Sequence, residues 1–129
     1  MKIGLFTAAQ WKPDENPETV LRNLIHQARV AEDNGFTSLL LGQHLLSAPV
    51  GMFQTIPLLA TLSQLTNTMQ LGPGVLLLSM LNPVLAAEES ATIDWLSDGR
   101  FVLAAGLGYR PEEFQATGVD IKQRVARFI

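Results

Sequence analysis

The chain has 129 residues, 47% of them hydrophobic and 16% charged, with a formal net charge of −3. That length suits one domain able to bury about two-thirds of its unfolded surface. Its 9 basic residues form no basic run, so nucleic acid is not an expected partner. The absence of cysteine excludes disulfides, thiolate chemistry and cysteine metal ligands.

The apolar run KIGLFTA, opening at Lys2, reads as a first strand. Asn16, Pro17 and Glu18 then supply an N-cap, a proline at the first helical position and an acidic first turn. Val20, Leu24, Ala28 and Ala31 mark one face of that helix, and Asn34-Gly35 tolerates the left-handed backbone that ends it. A second strand starts at Thr37 (TSLLLG), and a second helix opens around Thr55-Ile56-Pro57, carrying Leu58, Leu59, Leu62 and Leu65. The third strand, from Met69, is interrupted by Gly72-Pro73-Gly74, a pattern for a bulge or a close approach of backbone to ligand. Asn82-Pro83 starts a third helix running to about Leu96, on which Trp95 is expected to pack against the sheet. Ser97-Asp98-Gly99 stops it. Arg100 then stands at the start of a fourth strand (FVLAAG, from Phe101), the end associated with stability rather than chemistry. A short helix follows at Pro111-Glu112-Glu113, and Asp120 caps a last one, IKQRVARFI.

The strand candidates are continuous apolar runs at nearly even spacing, which implies a parallel sheet buried on both faces. Four parallel strands in sequential order are expected near residues 2–8, 37–42, 70–78 and 101–106, within a single domain spanning 1–129. On spacing alone, half of a (β/α)8 barrel and a small doubly wound sheet both satisfy this α/β pattern. No apolar stretch approaches the ~20 residues of a membrane helix, and no secretory signal is visible. A cytoplasmic location without membrane partners is the expectation.

Parallel α/β folds place their sites at the carboxyl ends of strands. His44, directly after the second strand, is the candidate for proton transfer, since imidazole titrates near neutral pH. His26 lies on the polar side of the first helix and reads as solvated. No ligand spacing for a metal is present. Gly106-Leu107-Gly108 lacks the third glycine of a dinucleotide fingerprint, and Pro111 follows it. Phe6, Trp11 and Tyr109 stand at or near strand ends as candidate walls of a pocket.

The stretch from Leu71 to Phe114, with its Gly-Pro-Gly bulge, Asn-Pro helix start and GLGYRPEEF turn, resembles the bacterial luciferase-like, flavin-dependent monooxygenase family. The resemblance extends from Met1 to Phe128. It implies about half of a TIM-type (β/α)8 barrel, because a complete barrel takes about 250 residues. The domain is therefore expected to be truncated after the fourth βα unit. The resemblance further implies reduced FMN (or the deazaflavin F420) reacting with oxygen or passing a hydride to a small organic substrate, with no metal. His44 would be the catalytic or flavin-contacting residue. Gln43 takes the place of an acidic residue found in relatives. The bend at Gly74, Val75 and Leu76, where the family carries a non-proline cis peptide, would support the flavin ring, and Gly106, Leu107 and Gly108 would line its site. Leu107 stands where some members place a phosphate-binding arginine. Open sheet edges, and the family's use of helices in this half for dimerisation, imply self-association or a partner chain. The alternative is a truncated, non-catalytic remnant acting only through such association.

Overall fold

The computed structural model describes residues 1–129. In chain order the elements are β1 (Gly4–Thr7), β2 (Gln10–Trp11), α1 (Pro17–Asp33), β3 (Ser38–Leu41), β4 (Gly51–Met52), α2 (Thr55–Ser63), β5 (Gln70–Leu77), α3 (Pro83–Leu96), β6 (Ala104–Gly106), α4 (Pro111–Thr117) and α5 (Arg124–Phe128). Strands β1, β3, β5 and β6 form one parallel sheet in that order. This is the sequential arrangement expected from the βα period.

Local signals set the helix ends. Asn16 Oδ1 accepts the N–H groups of Glu18 (2.8 Å) and Thr19 (3.4 Å), and Asn82 Oδ1 accepts those of Val84 (2.9 Å) and Leu85 (3.3 Å). Each satisfies donors that a helix start leaves unpaired. Asp120 Oδ1 caps Lys122 N–H at 2.9 Å, but the segment after it opens as a 3-10 turn, Ile121–Gln123, before becoming α5.

One face of the sheet carries the core. Leu39, Leu41 and Leu71 meet Leu24, Ala28 and Ala31 of α1, Leu58, Leu59 and Leu62 of α2, and Ile93 of α3. The opposite face does not follow the expectation of burial on both sides: Phe6 is 59% exposed and Val75 38%. Four strands cannot curl around far enough to cover their own inner face, which a closed barrel would bury. Trp95 also departs from expectation and is 88% exposed. Helix α3 turns Ile93 into the core, and a residue two positions on lies about 200° further around the helix.

The fourth strand is shorter than 101–106. Phe101 makes an isolated parallel bridge to Leu71, and regular pairing resumes only at Ala104. Strands β2 and β4, which pair antiparallel through Gln10–Met52 and Trp11–Gly51, had no sequence signal, since two residues carry no period.

Two charged side chains clamp the amino ends of the strands. Glu32 of α1 accepts the N–H groups of Asn67, Thr68 and Met69 at 2.6 to 3.0 Å, and the Thr68 hydroxyl at 3.0 Å. Arg100 donates to the carbonyls of Ser63, Thr66, Met69 and Ser97 and to Thr66 Oγ1, at 2.7 to 3.1 Å. This is the stability role expected of it. No helix is long and apolar enough to cross a membrane.

Candidate active site at the carboxyl ends of the strands

The carboxyl ends of β1, β3, β5 and β6 surround a cleft of about 420 Å³. Nine residues singled out from the sequence line it: Phe6, Gln43, His44, Gly74, Val75, Gly106, Leu107, Gly108 and Tyr109. Ala8, Gln10, Gly42, Met52 and Leu77 complete the lining. Of these, Met52 enters from β4, which pattern alone did not mark.

The floor is built from β5 and β6. The Gly74–Val75 peptide bond is cis, and the pairing of β5 with β6 shifts register between Gly74 and Leu76. The bend thus lies at the position that the resemblance implied. Val75 faces the cleft, whereas Leu76 is 1% exposed and turned into the protein. Leu76 is therefore a packing residue beneath the floor. A Cβ on Gly106 would collide with Val75 Cγ2, so the missing side chain there makes room for the Val75 branch. The Ser79 hydroxyl donates to the Leu107 carbonyl at 2.5 Å and ties the β6 loop to the end of β5.

Trp11 is not in the cleft. Its ring lies against Phe53 (centroids 4.5 Å apart, planes tilted by 45°) and over the backbone of Gly51, where any side chain would strike the indole. The β2–β4 ribbon holds it there, while Gln10 and Met52 of the same ribbon reach the cleft.

Gln43 and His44 leave β3 with different tasks. Gln43 Oε1 accepts the Leu77 N–H at 2.7 Å, linking the ends of β3 and β5. What Gln43 offers a ligand is its amide N–H. The His44 side chain is 30% exposed, and its Nδ1 lies 2.9 Å from Oε1 of Glu113, whose side chain is 0% exposed. The same oxygen accepts the Leu45 N–H at 2.8 Å and lies 3.5 Å from the Arg110 guanidinium. Arg110 also donates to the Leu45 carbonyl at 3.3 Å. The Tyr109 ring meets the imidazole edge-on, with centroids 6.0 Å apart.

Glu113 was missed as a site residue. In the sequence it reads as an acid in the first turn of a short helix, which the helix dipole explains without any site. No group of three or more His, Cys, Asp or Glu side chains converges to hold a metal.

The model of the luciferase-like monooxygenases matches residues 1–129, the whole chain. The chain belongs to this family. Among luciferase-like relatives, 4-hydroxyprotoasukamycin monooxygenase of Streptomyces nodosus subsp. asukaensis is 29% identical over 121 residues, 93% of this chain and 32% of its own. The oxygenating constituent of 3,6-diketocamphane monooxygenase from Pseudomonas putida, solved in complex with FMN, superposes with a TM-score of 0.86 at 20% identity, over 98% of this chain and 36% of that one. The F420-dependent tetrahydromethanopterin reductase of Methanopyrus kandleri matches with a TM-score of 0.70 at 26% identity, over 92% of this chain and 30% of that one. The fold is accordingly part of a TIM-type barrel. The luciferase-like chain described here spans 25% to 34% of the length of the first curated relatives it matches.

Proposed function

We propose that this chain provides one wall of the flavin site of a luciferase-like oxidoreductase, acting with FMN (alternatively F420) and oxygen on a small organic substrate. A cytoplasmic setting, where cells hold reduced flavin, belongs to the same proposal. The observation that carries it is the convergence of an apolar bent floor, a glycine-rich rim and a histidine in one strand-end cleft. Membership of a family that includes FMN-bound and F420-dependent proteins supports it.

The residues suit a flat aromatic ring. Gly74 and Gly106 leave the floor without side-chain relief, and Val75 supplies apolar backing. Gln43 would donate its amide N–H to a ring carbonyl or nitrogen. His44 would hold or deliver a proton at the edge of the ring. Phe6, Leu77 and Met52 would keep water from it. When bound, reduced flavin supplies the electrons, either to oxygen or as a hydride. The residues do not suit a phosphate. Leu107 carries no donor, and Arg110 is engaged by Glu113 and the Leu45 carbonyl.

Flavin titration followed by backbone amide NMR shifts tests this reading. Binding should be weak, because one charge-assisted hydrogen bond is worth about 1.5–3 kcal/mol and no lysine or arginine lines this cleft to hold the phosphate. Shifts should concentrate at Gly74, Val75, Gly106 and His44, with FMN and riboflavin binding within about threefold of each other. Shifts scattered elsewhere, or none at millimolar flavin, would refute the site. A preference for FMN of more than about tenfold would reveal a phosphate contact not assigned above.

A second reading, a non-catalytic remnant that works through self-association, is favoured by one observation. Strands β1 and β6 each keep a free edge, and Ile3 (47% exposed) and Leu103 (48%) lie beside them.

A further inference from the structure

We infer that Glu113 is a positioning residue for His44: it holds the imidazole by Nδ1, selects the Nδ1–H tautomer and leaves Nε2 as the nitrogen available to the cleft. The inference deepens the flavin reading, on which its functional meaning rests.

An ionised carboxylate is an acceptor only, so a neutral His44 can bond Oε1 only by placing its proton on Nδ1. The partner on the other side is sealed, since the Glu113 side chain is 0% exposed while that of His44 is 30% exposed. The open part of the ring is therefore the part remote from the carboxylate. Burying a carboxylate is costly without compensating partners. Here they converge on a single oxygen: the His44 imidazole, the Leu45 N–H and the nearby Arg110 guanidinium all address Oε1. No donor reaches the buried Oε2. A carboxylate acting only as a structural staple would gain by sharing its donors between both oxygens. This one directs its hydrogen bonding to the histidine and to the backbone N–H of the next residue.

The groups facing the imidazole are few. Glu113 approaches from α4, Arg110 stands behind it at the start of the same helix, and Tyr109 presents its ring from the β6 loop. Arg110 offsets the carboxylate charge and is itself held by the Leu45 carbonyl. The segment 44–45 is thus tied at both its side chain and its backbone to α4. With the tautomer set this way, Nε2 accepts a proton from a bound molecule, and the protonated ring returns it. A free imidazole in water would instead present either nitrogen and turn about its own bonds. The neighbouring Gln43 supplies no acid, and its carbonyl oxygen is occupied by Leu77 N–H. Glu113 is the acid that the pair otherwise lacks, supplied across 69 positions of sequence.

The test is long-range 1H–15N correlation on the His44 ring, on the uniformly labelled chain at a pH where the imidazole is neutral. The wild type should show a protonated Nδ1 and a bare Nε2. Glu113→Leu, which keeps the bulk but removes the acceptor, should shift both nitrogens toward the averaged values of mixed tautomers. Glu113→Asp, which keeps the charge, should restore part of the wild-type pattern. An Nε2–H tautomer in the wild type, or ring shifts unchanged in Glu113→Leu, would overturn the assignment. If Glu113→Leu fails to fold by circular dichroism, the wild-type spectrum together with Glu113→Asp still decides. Flavin titration separates the two ideas. A bare Nε2 in a chain that binds no flavin supports the positioning role and removes the flavin reading. Flavin binding at the cleft by a chain with the wrong tautomer does the reverse.

Discussion

Gly106 has no side chain, and the branch of Val75 occupies the space one would need. The two residues come from different strands, so the floor of the cleft depends on a pairing rather than on either residue alone. Valine is stiff about its first side-chain torsion, so Val75 cannot simply turn aside. Gly106→Val should therefore cost about 1–3 kcal/mol in urea unfolding and abolish flavin-induced shifts at Val75. Adding Val75→Ala should recover most of the loss, because the two sites share one volume. A single variant within about 0.5 kcal/mol of wild type would show that the floor yields without this contact. At this scale the sequence was partly legible. Glycine within an apolar run signals a close approach, and a histidine after a strand signals a site. Which neighbour each glycine serves, and which acid each histidine meets, were not legible, because both answers lie in other βα units.

Among the elements, α1 and the turn before β5 are joined by the Glu32 carboxylate. Burial works to raise its pKa. The N–H groups of Thr68, Met69 and Asn67 and the Thr68 hydroxyl outweigh burial and bring it from 4.5 to about 2. A carboxyl whose folded pKa is depressed contributes stability that is complete above its unfolded pKa and is lost as pH falls through the folded value. Glu32 thus supports the fold fully above pH 4.5, and that support fades toward pH 2. Urea midpoints measured across this range should fall for the wild type. Glu32→Gln should be less stable at neutral pH and show a shallower acid slope. Equal slopes in the two proteins would mean that the clamp does not form in solution. The helix caps at Asn16 and Asn82 were readable from their proline neighbours, whereas the clamp was not. An acid in the last turn of a helix has no local partner to announce it, and its donors lie 35 to 37 residues away.

For the whole molecule, the decisive fact is a sheet with two free edges and an inner face that its own strands do not cover. Phe6, Ile3 and Leu103 are open to solvent on or beside these strands, and Trp95 stands out from α3. Such edges invite pairing with another chain. Sedimentation over micromolar concentrations should show mass increasing with concentration, and Leu103→Lys should reduce the association by charging the outer edge beside β6. A stable monomer throughout that range would count against both self-association and the remnant reading.

Most residues around the cleft were marked by the family resemblance, whereas the order of the four main strands and of the helices, and the parallel pairing of those strands, follow from sequence alone. They rest on hydrophobic period, capping residues and glycine placement, which act within a few positions along the chain. Tertiary structure decided the rest. It moved Trp11 onto Gly51, turned Leu76 beneath the floor, left Trp95 outside and brought Glu113 to His44. Each of these depends on which face of an element is covered by its neighbours. Periodicity specifies that a face is apolar, but only packing determines which apolar side chain is covered and which buried acid finds a donor.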